Sequence, residues 1–104
     1  MKHIFVVNPA AGKGKKLPAV LSAITYACEE LDADYEIYHP VTVGDGIRFV
    51  REKCEKNAGE AMRFYACGGD GTLYEVINGA VGYPTAEVAV VPSGTGNDFI
   101  KAFS

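Results

Sequence analysis

The residues best placed to do chemistry in this chain are Cys67-Gly68-Gly69-Asp70-Gly71-Thr72. They follow an apolar stretch, Phe64-Tyr65-Ala66, and precede a helix-like segment from Leu73 to Ala80. Glycines carry no side-chain bulk, so backbone N–H groups in such a turn can close on an anion at a helix start. Asp70 is repulsive towards a phosphate unless a divalent cation lies between them. The pattern therefore reads as a site for a Mg²⁺-nucleotide rather than for a bare anion. Capping of the following helix by Asp70 is an alternative, but it leaves Gly68-Gly69 unexplained.

Two further loops carry related residue types. Asn8-Pro9-Ala10-Ala11-Gly12-Lys13-Gly14-Lys15-Lys16 is flexible and basic. It is not a P-loop, since no Ser or Thr follows the lysines and no glycine stands at the required upstream spacing. Nor is it a dinucleotide fingerprint, because the third glycine position is Leu17. It could lie over phosphates or form a solvated turn before a helix. In Pro92-Ser93-Gly94-Thr95-Gly96-Asn97-Asp98, two glycines permit close approach, Thr95 and Asn97 offer hydrogen bonds, and Asp98 adds a second carboxylate. Helix capping explains one of these residues well and the cluster poorly.

The elements that must position these loops alternate. His3–Val7 is an apolar run suited to a strand buried on both faces. Leu17, Val20, Leu21, Ile24, Cys28 and Leu31 recur at helical spacing. Asp34–His39 reads as a second strand, and Pro40–Gly46 leads to a helix bearing Ile47, Val50 and Cys54, which stops near Asn57-Ala58-Gly59. Met62–Cys67 is the third strand. Leu73, Val76, Ile77 and Ala80 are expected to face inward from the third helix, and Glu87–Val91 is the fourth strand before a short segment from Asn97 to Phe103. The alternation predicts an α/β fold, a parallel sheet with helices on both faces. Ligands of such sheets bind beyond the carboxyl ends of the strands. All three glycine-bearing loops, with Thr42-Val43-Gly44-Asp45 after the second strand, are expected on that edge.

Composition narrows the classes. At 104 residues the chain is of single-domain size, and its 48% hydrophobic and 22% charged residues are ordinary for a globular protein. A net charge of −3 gives no electrostatic footprint for nucleic acid. No uncharged apolar run approaches ~20 residues, so no transmembrane segment is expected. The N-terminus lacks the regions of a signal peptide, which makes a cytoplasmic location the default. Cys28, Cys54 and Cys67 stand in no metal-ligand spacing and read as reduced core residues; His3 and His39 belong to no partner motif.

The order and spacing of Asn8-Pro9-x-x-Gly12, Gly68-Gly69-Asp70-Gly71-Thr72 with Glu75-Val76-Ile77-Asn78-Gly79, and Pro92-x-Gly94-Thr95-Gly96-Asn97-Asp98 resemble the catalytic-domain family of diacylglycerol kinases, sphingosine kinases and bacterial lipid kinases. The resemblance runs from Ile4 to the last residues. It implies an NAD kinase/diacylglycerol kinase N-terminal-lobe fold that binds ATP with Mg²⁺ and passes the γ-phosphate to a lipid hydroxyl, a diacylglycerol-like acceptor. On that basis Asn8, Gly12, Lys13 and Thr42 would border the nucleotide. Gly68, Gly69, Gly71 and Thr72 would hold phosphates, with Glu75, Gly94, Thr95 and Asn97 as further contacts. Asp70 would act at the phosphate end, and Asp70 with Asp98 would face the metal.

The family pattern is departed from at two places: Tyr74 stands where Asn is usual, and Ile100-Lys101 where a small residue and Arg are common. Family members continue into a second, mainly β lobe that binds the lipid. The expectation is that residues 1–104 form the nucleotide-binding lobe of a longer enzyme, silent alone and peripheral to the membrane through the missing lobe. An NAD kinase-like lobe and a non-catalytic nucleotide-binding module are the alternatives.

Overall fold

The computed structural model describes residues 1–9 and 17–91. Its elements run β1 (Lys2–Val7), α1 (Leu17–Glu30), β2 (Tyr35–Tyr38), α2 (Asp45–Lys56), β3 (Met62–Cys67), α3 (Asp70–Ala80) and β4 (Ala86–Val91). The four strands form one parallel sheet in the order β2-β1-β3-β4. β1 and β3 are central, and their continuous apolar runs are buried from both sides: Ile4, Phe5, Val6, Phe64 and Tyr65 have no exposed surface.

Side-chain alternation along the strands divides the core in two. Ile4, Val6, Phe64 and Ala66 face α2 and α3, packing with Phe49, Val50, Cys54 and Val76. Phe5, Val7, Tyr65 and Cys67 face the other way, against Ile24, Ala27 and Cys28 of α1. The expected parallel sheet with helices on both faces is thus observed. Gly79 lets α3 approach α2 closely, since a Cβ there would stand 2.6 Å from Val50 Cβ and 2.9 Å from the Ile47 carbonyl oxygen.

Several local expectations change. α3 begins at Asp70 rather than Leu73, so Asp70-Gly71-Thr72 is its first turn. α2 begins at Asp45, which shortens the preceding connection to Gly44. α1 ends before Leu31, which is 60% exposed instead of completing the buried stripe. Ile77 is 45% exposed, because α3 turns its Val76–Ala80 side to the core and leaves Ile77 outside it. Phe49, absent from the expected stripe, is buried and stacks on Tyr38 with centroids 3.8 Å apart. The three cysteines are free and buried, as expected.

Candidate functional site

In the order β2-β1-β3-β4, the chain leaves β1 in one direction through α1 and returns across it through α2 to β3. That reversal opens a crevice at the carboxyl ends of the central strands, where open α/β sheets take their ligands. A cleft of about 320 Å³ lies there, lined by Val6, Asn8, Pro40 to Val43, Gly46, Thr72 and Glu75. Asn8 comes from the loop after β1, Thr42 from the loop after β2, and Thr72 and Glu75 from α3 after β3.

The turn after β3 is tightly built on one side and open on the other. The Asn8 N–H donates to the Cys67 carbonyl (3.0 Å), joining the ends of β1 and β3. Gly68 sits against Asn8 and Thr72, where a Cβ would be 2.6 Å from Thr72 Oγ1 and 3.2 Å from Asn8 Cβ. Thr72 is buried, and its N–H donates to the Gly69 carbonyl (3.1 Å). Gly69, the residue before α3, supplies no side-chain cap. A Cβ on Gly69 or Gly71 would meet nothing within 4 Å. Asp70 is exposed in the first helical turn between those two open positions.

The rim on the β2 side is held by Asp45. Its Oδ2 accepts from Tyr38 Oη (2.6 Å) and from the Val41 N–H (2.9 Å). Its Oδ1 accepts from Arg48 Nε (3.0 Å) and Nη2 (2.6 Å), while its own N–H donates to the Thr42 carbonyl (3.1 Å). The Tyr38 hydroxyl, then the Val41 N–H and Arg48, hold the Asp45 carboxyl down at about 2. The same contact pushes the Tyr38 phenol up. Gly44 completes the turn with φ +88°, a left-handed conformation that glycine adopts without a Cβ clash. At the start of the loop, His39 Nδ1 donates to the Val7 carbonyl (3.0 Å).

Glu75 closes the cleft floor. Its Oε1 accepts from the Gly46 N–H (2.8 Å), so α3 supplies the side-chain acceptor that Gly44 cannot give α2. A Cβ on Gly46 would stand 2.9 Å from that oxygen. Asp45 and Gly46 were not among the site residues expected from sequence. The signal available was Gly44-Asp45-Gly46 just beyond Thr42-Val43, an aspartate between glycines at a helix start.

Of the expected site residues, Asn8, Thr42, Thr72 and Glu75 line one cleft, and Gly68 is packed between two of them. Gly69, Asp70 and Gly71 occupy the turn and first helical residues beside it. Gly12, Lys13, Gly94, Thr95, Asn97 and Asp98 lie outside the described residues, as do Ile100 and Lys101. Among the described residues, no group of three or more His, Cys, Asp or Glu side chains could hold a metal. A lone exposed carboxylate beside open glycines nevertheless fits Mg²⁺, which keeps several waters and takes one or two carboxylates together with substrate phosphates. The open Cβ positions at Gly69 and Gly71 leave room for phosphate oxygens against the backbone.

An open parallel α/β domain with a strand-end cleft of this kind defines a ligand-binding class, and comparison with known proteins sharpens it. Residues 2–104 match the diacylglycerol kinase catalytic domain model. A diacylglycerol kinase of Staphylococcus saprophyticus is 37% identical over 101 residues, covering 93% of this chain and 31% of the relative. A diacylglycerol kinase of Staphylococcus aureus is 34% identical, over 93% of this chain and 30% of its own length. The crystal structure of a diacylglycerol kinase from Bacillus anthracis superposes with a TM-score of 0.61 at 26% identity, over 89% of this chain and 34% of that one. The chain belongs to the diacylglycerol kinase catalytic domain family. It spans about a third of the length of the curated relatives it matches.

Proposed function

We propose that this chain is the nucleotide-binding lobe of a lipid kinase that transfers the ATP γ-phosphate to the hydroxyl of a diacylglycerol-like lipid. The observation that carries the reading is the meeting of Asn8, Thr42, Thr72 and Glu75, from three separate strand-end connections, around one cleft beside the Gly68-Gly69-Asp70 turn. In the transfer, the lipid hydroxyl oxygen bonds to Pγ, the bond from Pγ to the bridging oxygen breaks, ADP leaves with that oxygen, and the hydroxyl proton is released to solvent water. Such reactions depend chiefly on positioning and charge stabilisation. Here Asn8 and Thr42 border the nucleotide, Gly68, Gly69, Gly71 and Thr72 receive phosphate oxygens, and Glu75 holds the α2 start against the cleft. Asp70 stands at the phosphate end, with Gly12, Lys13, Gly94, Thr95, Asn97 and Asp98 completing the nucleotide and metal contacts. Asp70 and Asp98 would hold Mg²⁺, which would supply charge neutralisation when bound.

The lipid site belongs to a second lobe supplied by the remainder of a longer enzyme, which also brings it to the membrane surface. Among the described residues no helix is long and apolar enough to cross a membrane. The test is equilibrium titration with ATP, with Mg²⁺ and with EDTA, alongside assay of label transfer from γ-labelled ATP to diacylglycerol in mixed micelles. Saturable binding that EDTA and Asp70→Asn both weaken, without label transfer by the chain alone, is expected. Binding indifferent to both changes would overturn the metal-nucleotide reading. Transfer by the chain alone would overturn the need for a second lobe.

A further inference from the structure

We propose that Asp45 is a positioning residue that sets the conformation of the Val41–Gly44 loop and thereby fixes Thr42 at the cleft rim for the nucleotide. This rests on the nucleotide reading of the cleft above. One carboxylate brackets the loop. Its Oδ2 takes the Val41 N–H and the Tyr38 hydroxyl, and the Asp45 N–H reaches back to the Thr42 carbonyl. Both carboxylate oxygens are used, since Arg48 occupies Oδ1. Arg48 is in turn paired with Glu52 (2.9 Å), and Tyr38 is stacked on the buried Phe49. The clasp therefore runs from the hydrophobic core to the rim through Tyr38 and Asp45.

What the clasp holds is otherwise poorly secured. Val41 and Val43 are 83% and 98% exposed, so no side-chain burial pins the loop down. Gly44 is left-handed and Thr42 is exposed. A loop of exposed residues held by one charged side chain keeps its shape only while that side chain keeps its bonds. The fourfold-bonded carboxylate does not touch the ligand in this arrangement; it acts through Val41 and Thr42.

Releasing the loop lowers the population of the binding-competent form, and the apparent affinity falls by that fraction. If the freed loop is competent about one-tenth of the time, Asp45→Ala raises the ATP dissociation constant about tenfold. Asp45→Asn retains an acceptor oxygen for Val41 and Tyr38 and is expected to restore most of the affinity. Arg48→Ala removes the two bonds on Oδ1 and the Arg48 bond to the Tyr38 hydroxyl (3.0 Å) but leaves the Val41 and Tyr38 bonds to Oδ2, so it is expected to weaken ATP binding less than Asp45→Ala does. Ile24→Val, a destabilising change in the α1 core on the opposite face of the sheet, controls for loss of stability.

The experiment is calorimetric titration of these variants of the full chain with ATP and Mg²⁺, at a temperature where each is folded by circular dichroism. Hydrogen exchange at the Val41 amide is read on the same samples. A loss in Asp45→Ala that Asp45→Asn recovers and Ile24→Val lacks, with faster Val41 exchange, supports the assignment. Equal binding by the unchanged protein and Asp45→Ala overturns it while the nucleotide site stands. Absence of ATP binding by the unchanged protein overturns the nucleotide reading, and the assignment with it. If Asp45→Ala is too unstable to titrate, Tyr38→Phe decides, because it removes the tie from the core to Oδ2: faster Val41 exchange with weaker ATP binding supports the clasp, and unaltered exchange and affinity refute it.

Discussion

Replacing Gly71 by alanine separates what the fold needs from what the ligand needs. Gly71 lies in the first turn of α3, its φ is not among the positive values, and an added Cβ meets nothing within 4 Å. The unliganded fold therefore gives no reason for glycine at this position. Exchange of a helical glycine for alanine is worth about 0.5–1 kcal/mol in reduced unfolded-state freedom. For a domain of this size each kcal/mol moves the melting temperature by roughly 4–8 °C, so Gly71→Ala is expected to melt about 2–8 °C higher. The same methyl group stands where a phosphate would approach the backbone, so ATP affinity is expected to fall at least about tenfold, or 1.4 kcal/mol. Thermal unfolding and ATP titration on one preparation read both effects. A variant that melts higher and binds ATP undiminished would refute the assignment of Gly71 to the ligand. A variant destabilised by more than about 1 kcal/mol would refute the open space itself.

Gly79→Ala should show the opposite balance. The helix gains about 1 kcal/mol, but a Cβ 2.6 Å from Val50 and 2.9 Å from a backbone oxygen forces α2 and α3 apart, for a net loss of about 1–3 kcal/mol in urea unfolding. Asp45 makes a contribution to stability with a defined acid limit. Its carboxyl lies near 2 in the folded chain against an ordinary 3.8, so the contribution is complete above pH ~4 and fades as pH falls towards ~2. The difference in unfolding midpoint between the unchanged chain and Asp45→Asn is accordingly expected to narrow across that window; a constant difference would contradict it. Burial pushes Cys28 up to about 11 and Cys67 up to about 12, and also raises Cys54. Thiols held protonated and out of solvent are expected to resist iodoacetamide at pH ~8 until denaturant is added, as mass spectrometry would show.

Much of this arrangement was legible because its causes are local. The apolar runs of β1 and β3 are what strands buried on both faces require, and the α2 spacing of Val50 and Cys54 matches the buried face. Once the strands were read as parallel, the edge carrying Asn8, Thr42 and Gly68–Thr72 followed from topology. The start of α3 was less legible. Apolar periodicity marks only where the core-facing residues begin, and Gly69 provides no side-chain cap to mark the true start at Asp70. Ile77 was misplaced for a related reason, since helical spacing names a stripe without giving its width. The Asp45 clasp and the Glu75–Gly46 contact were hidden by tertiary structure. Arg48 is three residues from Asp45, but Tyr38 meets Asp45 only because β2 ends beside the start of α2. Glu75 and Gly46 are 29 residues apart and meet only through the packing of α3 on α2.

The central claim is that the strand-end cleft takes a Mg²⁺-nucleotide, and amide chemical-shift mapping of the isotope-labelled chain tests it most directly. Addition of ATP with Mg²⁺ is predicted to move the resonances of Asn8, Thr42, Gly69 to Thr72 and Glu75 together along one saturation curve. Residues at the opposite sheet edge, His3, Arg63 and Glu87, should stay in place. Shifts clustered at that opposite edge, or no shifts up to millimolar ATP, would contradict the account.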